Sequence, residues 1–598
     1  MATTVLDLEK LLRVPQVEEE FALSPDGKTL AFAWNPSGQW EIYILALETP
    51  GEPQQITAGP GAKRTPRWSP DGGRLAYTLD LTGGEDYDIY ALDVISGESH
   101  NLTPDTPEAL QPNFDWSPHG QQIAFVSNRS GRFDTSVLPV NGLEPGEPRC
   151  VFSQPSPDWL VRWSPDGRRL AITSEASGQD YETRIVTANG RDVLLLADEA
   201  GPLHARQPAW SPDGKRLAFA SDRSGRFRIG LYELESREVR WIDPEEGEAQ
   251  SPRWSPDGKR LCYVLQQGPT TSLLVQALEG GQSRSYQVEP GVHSRPTFTP
   301  DGNSLLFAFD NPRRPPDLWR LRLPDGELQQ ITHSLPEDLR LEQLGMPEQV
   351  RYPSLDGQQV PALLFRPESV PAPAVIDIHG GPNWLSMMTW NPAWQHMLSR
   401  GWVVLAPNYR GSTGYGREWQ LANRFDLGGK ETQDVAAGYD FLAAQGLADP
   451  RRVAVTGRSH GGYLTMTCLT QYPERFAAGS AVVPFLNWFT GHANSREDLQ
   501  HWDLENFGDP VKDHDRYYER SPFFFLERVS APVQLICGAH DPRCPASESI
   551  EAQKILAGQG KACDLVLYPD EGHSFLKTEN VVDARRRCIE FLAKAIEA

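Results

Sequence analysis

The chain holds little sulfur: seven cysteines and six methionines in 598 residues. Cys150, Cys262, Cys468, Cys537, Cys544, Cys563 and Cys588 are odd in number, scattered, and form no C-x-x-C pair. That pattern favours reduced, buried thiols over a disulfide framework or a structural zinc site. Basic residues are also short, 57 Lys+Arg against 80 Asp+Glu for a net charge of -23, which argues against a nucleic-acid or anionic-membrane partner. No run approaches 18 uninterrupted apolar residues. The first sixteen residues, with Asp7, Glu9 and Lys10 among them, lack the basic-then-apolar order of a secretory signal. The expectation is a cytoplasmic protein with no membrane or nucleic-acid partner.

Turn chemistry is abundant instead: 51 Gly and 51 Pro, together with 17 Trp. The reason is a repeat. Ser-Pro-Asp-Gly or a close variant begins at Ser24, Ser69, Ser117, Ser164, Ser211, Ser255 and Thr299, at spacings of 45, 48, 47, 47, 44 and 44 residues. Trp68, Trp116, Trp163, Trp210 and Trp254 precede it, replaced by Leu23 and Phe298 at the two ends. A short apolar strand follows each time, as in Leu30-Ala-Phe or Leu217-Ala-Phe. In this turn Pro presets φ, Asp closes the loop and Gly accepts positive φ. Four short strands in about 46 residues is the size of a propeller blade, so seven units predict a seven-bladed β-propeller. The first unit starts near Phe21 and the seventh ends with the strand at Leu328. Whole blades are therefore expected, with the ring closed only by packing of the first against the seventh. The tryptophans and turns read as scaffold.

After about Ser334 the period changes. Paired strands around Val350 and Val360 lead into apolar strands at Ala374, Val403, Val453, Ala478, Val533 and Leu565, with helices such as 432–445 and 547–556 between them. Such alternation predicts a parallel sheet covered on both faces. The expected division is an N-terminal segment 1–16, a propeller over 17–338 and an α/β-hydrolase domain over 339–598.

Three features of the second half carry chemistry. Gly457-Arg-Ser459-His-Gly461 follows a strand and opens a helical run, the context of a nucleophile elbow. The α/β-hydrolase order then requires an acid and a histidine. Asp541 ends the strand at Val533, and His573, the only histidine after it, follows the strand at Leu565. Asp564 and Asp570 lie too near His573 in sequence, and Asp509 is a distant alternative. His379-Gly380-Gly381-Pro382, directly after the strand at Ala374, sits where an oxyanion donor belongs, with the amide of His460 as the other. His379 has no companion ligands at credible spacing, so neither metal nor cofactor is expected.

At Gly457-RSHGGY, His379-GGP, Asn408-YRGSTGYG, Ala539-HDPRCP and Glu571-GHSF the chain resembles the prolyl oligopeptidase family of serine peptidases, most closely its acylaminoacyl-peptidase and dipeptidyl-peptidase-like branch. The resemblance implies a peptidase whose propeller caps the site and admits only short peptides. It implies Ser459, Asp541 and His573 as triad, and Gly381 and His460 as oxyanion donors. Arg410 and Tyr415 look like loop scaffolding near the site, with Arg410 also a candidate substrate contact. The aromatic residues Phe485, Trp488, Phe489, Trp502 and Phe507 suggest a pocket for an apolar or aromatic side chain at the substrate's P1 position.

Glu18-Glu19-Glu20 reads as a solvated charge run, although paired glutamates hold a substrate amino group in dipeptidyl relatives. Exopeptidase and endopeptidase modes are not separated by the residues, and neither is a homo-oligomer. Two rivals remain open: an esterase on the same triad, and a non-catalytic interaction protein built on TolB-like repeats.

Overall fold

The computed structural model describes residues 5–48, 51–104, 110–243 and 246–597. The first half is a ring of seven antiparallel sheets, each drawn from one continuous stretch of chain and all four-stranded except the third, which has five strands. The innermost strand of each sheet touches those of its two neighbours, from Val17–Leu23 in blade one round to Val292–Phe298 in blade seven. No blade mixes strands from the two ends of the ring.

The repeat motif closes each blade and ties it to its neighbour. In the second blade Gly72, at φ 71°, donates to Ser69 O (2.9 Å), and Asp71 accepts the Gly73 amide (3.0 Å). Between blades, the indole N–H groups of Trp68, Trp116, Trp210 and Trp254 donate to backbone carbonyls of the preceding blade at 3.0 to 3.2 Å. Arg74, Arg169 and Arg216 lie over Trp116, Trp210 and Trp254 of the following blade, 4.6 to 5.3 Å from the ring centroids. The seam between blades seven and one lacks both parts of this clasp. Leu23 stands where blades two to six carry Trp, and Ser304 where blades two, four, five and six carry Arg. The seam is held by apolar packing of Leu30 and Phe32 on Leu306 and Leu318, and by ion pairs from Arg295 to Glu19 and Glu20.

The second half is an eight-stranded sheet. Its strands are β1 (Glu348–Pro353), β2 (Gln359–Phe365), β3 (Ala372–Ile378), β4 (Val403–Pro407), β5 (Ala448–Arg458), β6 (Gly479–Val482), β7 (Val533–Gly538) and β8 (Cys563–Tyr568). The order is β1-β2-β4-β3-β5-β6-β7-β8, with β2 antiparallel to both its neighbours and the other strands parallel to one another. Core clusters lie on both faces, which is why β3 to β7 are runs of Val, Ile, Leu and Ala rather than alternating. This is an α/β-hydrolase fold behind a seven-bladed propeller.

The N-terminal segment belongs with neither blade. Its helix Leu8–Leu12 buries Leu11, and Leu11 and Val14 pack on Leu344 and Trp390 of the second half. Among the described residues no helix is long and apolar enough to cross a membrane.

Candidate active site

Strand β5 ends at Arg458 and a helix begins at His460, leaving Ser459 alone on the turn with φ 59° and ψ -123°. Such a conformation is strained for any residue but glycine and persists only where the surroundings hold it. Here the Ser459 amide donates to Val482 O of β6 at 2.9 Å. The flanking glycines are demanded by close backbone approach: a Cβ on Gly461 would sit 2.1 Å from Ile378 O, and one on Gly457 2.4 Å from Gly461 O.

The sheet's carboxyl edge brings Ser459, Asp541 and His573 together. His573 Nε2 lies 3.0 Å from Ser459 Oγ, and Nδ1 lies 2.8 and 3.0 Å from the carboxylate oxygens of Asp541. Asp541 is fixed in turn by accepting the amides of Arg543 and Cys544, each at 2.9 Å. Burial pushes the His573 pKa below its ordinary value, with Asp541 opposing. Asp541, Cys544 and His573 offer ligand atoms within 4.8 Å of one another, but both imidazole nitrogens are already engaged by Asp541 and Ser459. Asp509, the alternative acid, instead caps its own turn through the amides of Val511 and Lys512.

Gly381 and His460 line the same cavity as Ser459, and neither amide donates to another group among the described residues. Two free N–H groups beside a serine hydroxyl are what a developing oxyanion requires. The loop carrying Gly381 is set by His379. Its ring stacks on Tyr409 at 4.3 Å, Nε2 bonds Ser412 Oγ and Nδ1 bonds Gly380 O, both at 2.8 Å. Burial lowers the His379 pKa to about 3, so the ring is a neutral structural strut. The His460 side chain points away from the cavity chemistry, its Nε2 bonded to buried Glu431 at 2.8 Å.

Of the aromatic candidates, Phe485, Trp488 and Trp502 line a cavity of about 90 Å³ next to Ser459. Phe507 is fully buried against Trp488, and Phe489 packs on Tyr517 and Phe524; both are core. The apolar expectation for this pocket needs correction. His492 and Asp503 also line it, with His492 Nδ1 3.2 Å from Asp503 Oδ2, while the other Asp503 oxygen has no partner among the described residues. The helix Glu497–Asn506 supplies Asp503, a placement no spacing in the sequence reveals.

Arg410 is a second correction. It is 4% exposed, its guanidinium bound to Asp434 (2.6 to 3.1 Å) and Asp356, and it does not reach the cavity. It fastens the loop after β4 to the helix Lys430–Ala444. Tyr415 likewise accepts from Asn408 Nδ2 at 2.8 Å as loop scaffolding. The Glu18-Glu19-Glu20 run is not simply solvated either: Glu18 pairs with Arg64, Glu19 with Arg295, and Glu20 with both Arg67 and Arg295.

The propeller reaches the site directly. Glu85, in the loop between the second and third strands of blade two, accepts from Arg543 Nε (2.8 and 3.0 Å) and Arg496 Nη1 (3.0 Å). Gly83 of the same loop presses on Gly572, beside His573, so tightly that a Cβ there would meet Gly83 O at 1.7 Å. A larger cavity of about 600 Å³ lies between the halves, walled by inner propeller strands and by Asn383, Trp384 and Leu385.

An elbow serine, an imidazole bridging it to a carboxylate, and two unpartnered amides on this sheet define a serine hydrolase. Residues 386–598 match the prolyl oligopeptidase family and form a catalytic domain of that family, and residues 19–145 and 178–340 match the TolB beta propeller domain. The protein is a serine peptidase. An uncharacterized peptidase of Bacillus subtilis, YuxL, is 27% identical over 93% of this chain and 86% of its own length. The rat acylamino-acid-releasing enzyme is 29% identical over 41% of this chain, a match spanning 34% of that enzyme. A Mycobacterium tuberculosis puromycin-hydrolyzing peptidase superposes with a TM-score of 0.87 over 99% of this chain and 96% of its own, at 21% identity, which speaks to the fold alone.

Proposed function

We propose that the protein hydrolyses short peptides by acyl transfer to Ser459, with His573 as the base and Asp541 as its orienting acid. The hydrogen-bonded chain from Ser459 Oγ through His573 to Asp541 is the observation that carries this reading. His573 takes the hydroxyl proton as the serine attacks, then returns it to the leaving amine, and water releases the acyl group by the same route. The amides of Gly381 and His460 stabilise the tetrahedral oxyanion. The propeller covering the site supports a limit on substrate size.

The same reading extends to the substrate's amino end. Glu18, Glu19 and Glu20 are each paired with an arginine, so holding a free α-amino group there would mean breaking an existing ion pair. That favours a blocked amino terminus, in the manner of an acylaminoacyl peptidase, over dipeptide release. Mass spectrometry of digests of one peptide with free, N-acetylated and C-amidated ends tests this. Preferential removal of the N-acetylated residue is expected; release of dipeptides from the free amino end would overturn it.

A further inference from the structure

The residue directly before the signature tryptophan lies on the innermost strand of its blade. In blades two, three, four and six it is Arg67, Asp115, Arg162 and Arg253. Because the seven innermost strands form a closed ring, these side chains come from around one axis. In blades two and six the register slips just before them, between Arg64 and Arg67 and between Gln250 and Arg253, with Thr65 and Ser251 at φ 55° and 54°. Such bulges re-aim the side chain that follows.

The charges there do not balance. Glu20 is shared by Arg67 (2.7 Å) and Arg295 (2.8 Å). Arg162 and Arg253 have no carboxylate within 4.0 Å among the described residues; each donates only to a neighbouring carbonyl, Val161 O at 2.7 Å and Pro252 O at 2.9 Å. Asp115, which accepts the Trp163 amide, is the strongest charge acting on Arg162, and Glu20 acts on both Arg162 and Arg253 from beyond 4.0 Å. Burial lowers the pKa of Arg253 to about 10, with Arg162 the next cause, so the two guanidiniums feel one another across the throat. Four guanidiniums thus converge where a chain of net charge -23 supplies too few carboxylates.

Arg162 and Arg253 are half-buried; a partly desolvated charge without an ion-pair partner is unfavourable, and planar guanidinium forks match the oxygens of phosphate and carboxylate groups. The wall of the 600 Å³ cavity includes Ser251, on the strand that carries Arg253, and Arg295, which pairs with Glu20. We propose that the axial throat of the propeller is a binding site for a small oxyanion, a phosphate or a carboxylate, held between Arg162 and Arg253. The site is separate from the serine chemistry and is recognised by charge and fork geometry alone.

Calorimetric titration of the full chain with inorganic phosphate, against chloride at matched ionic strength, tests the site. Saturable phosphate binding is expected, weakened at least tenfold in Arg162→Gln/Arg253→Gln and by less in the charge-keeping Arg162→Lys/Arg253→Lys. A second arm compares kcat/KM for one peptide with a free and an amidated carboxyl end. A free-end preference that phosphate competes away and the Gln pair abolishes identifies the peptide carboxylate as occupant; equal rates with phosphate binding intact identify a free oxyanion. No phosphate binding above the chloride control in the wild type together with no free-end preference, or unchanged binding in the Gln pair, would overturn the proposal.

Discussion

Glu85 of blade two accepts hydrogen bonds from Arg543 Nε at 2.8 and 3.0 Å, so a propeller side chain grips the loop that carries Asp541. Glu85 is 7% exposed at its side chain, whereas Arg543 is 43% exposed, so much of the pairing energy lies with buried Arg496. Glu85→Ala is expected to lower kcat/KM about tenfold by loosening the acid loop and to destabilise the fold by about 1–3 kcal/mol. Steady-state kinetics with thermal melts measure both. Unchanged kinetics in a folded variant would show that the acid loop holds itself.

The base should work in mildly acidic solution. Burial lowers the His573 pKa, so the imidazole stays neutral below its ordinary value of about 6.5, and the acid limb of kcat/KM is expected there. A limb above pH 7 would mean that Asp541 dominates burial.

The cavity beside Ser459, expected to take the P1 side chain, has one polar end. With Asp503 beside Phe485, Trp488 and Trp502, a P1 tyrosine is expected to gain a hydrogen bond that phenylalanine cannot make. Asp503→Leu is expected to reduce the Tyr-to-Phe ratio of kcat/KM about tenfold, the worth of one hydrogen bond to a charged group. A paired-substrate assay reads the ratio; no change would remove Asp503 from specificity.

Buried Glu175 sets a pH dependence of stability. It is 1% exposed, Oε1 has no partner among the described residues, and burial raises its pKa to about 8. A pKa raised above the unfolded value of about 4.3 contributes stability that is present at low pH and lost as pH rises through about 8. Melting temperature should therefore fall from about pH 5 to about pH 8 and level off above it, and Glu175→Gln should flatten that fall. Equal slopes for the two proteins would contradict it.

Much of this molecule is written locally. The turn motif recurs because each blade needs the same tight closure, and Trp recurs because the indoles of Trp68, Trp116, Trp210 and Trp254 bond the previous blade. At the seam both halves of the contact are missing, with Leu23 in place of Trp facing Ser304 in place of Arg. The elbow is legible because Gly457, Ser459 and Gly461 stand between a strand and a helix. What could not be read depends on contacts across the chain. Arg410 resembles a substrate contact until Asp434 and Asp356 are seen around it, Asp503 enters the pocket only through its helix, and Glu85 reaches Arg543 from more than 450 residues away. Arg162 and Arg253 are visible beside their tryptophans, but only ring closure brings their strands around one axis.

The central claim is that Ser459 is the acyl-carrying nucleophile. Peptide mapping after fluorophosphonate labelling, alongside peptide hydrolysis by Ser459→Ala, tests it most directly. The account predicts one adduct, on Ser459, with complete loss of activity, and an unlabelled variant slower by roughly 10⁴-fold or more. An adduct on another serine, or Ser459→Ala hydrolysing peptides at a rate above contaminant level, would contradict it.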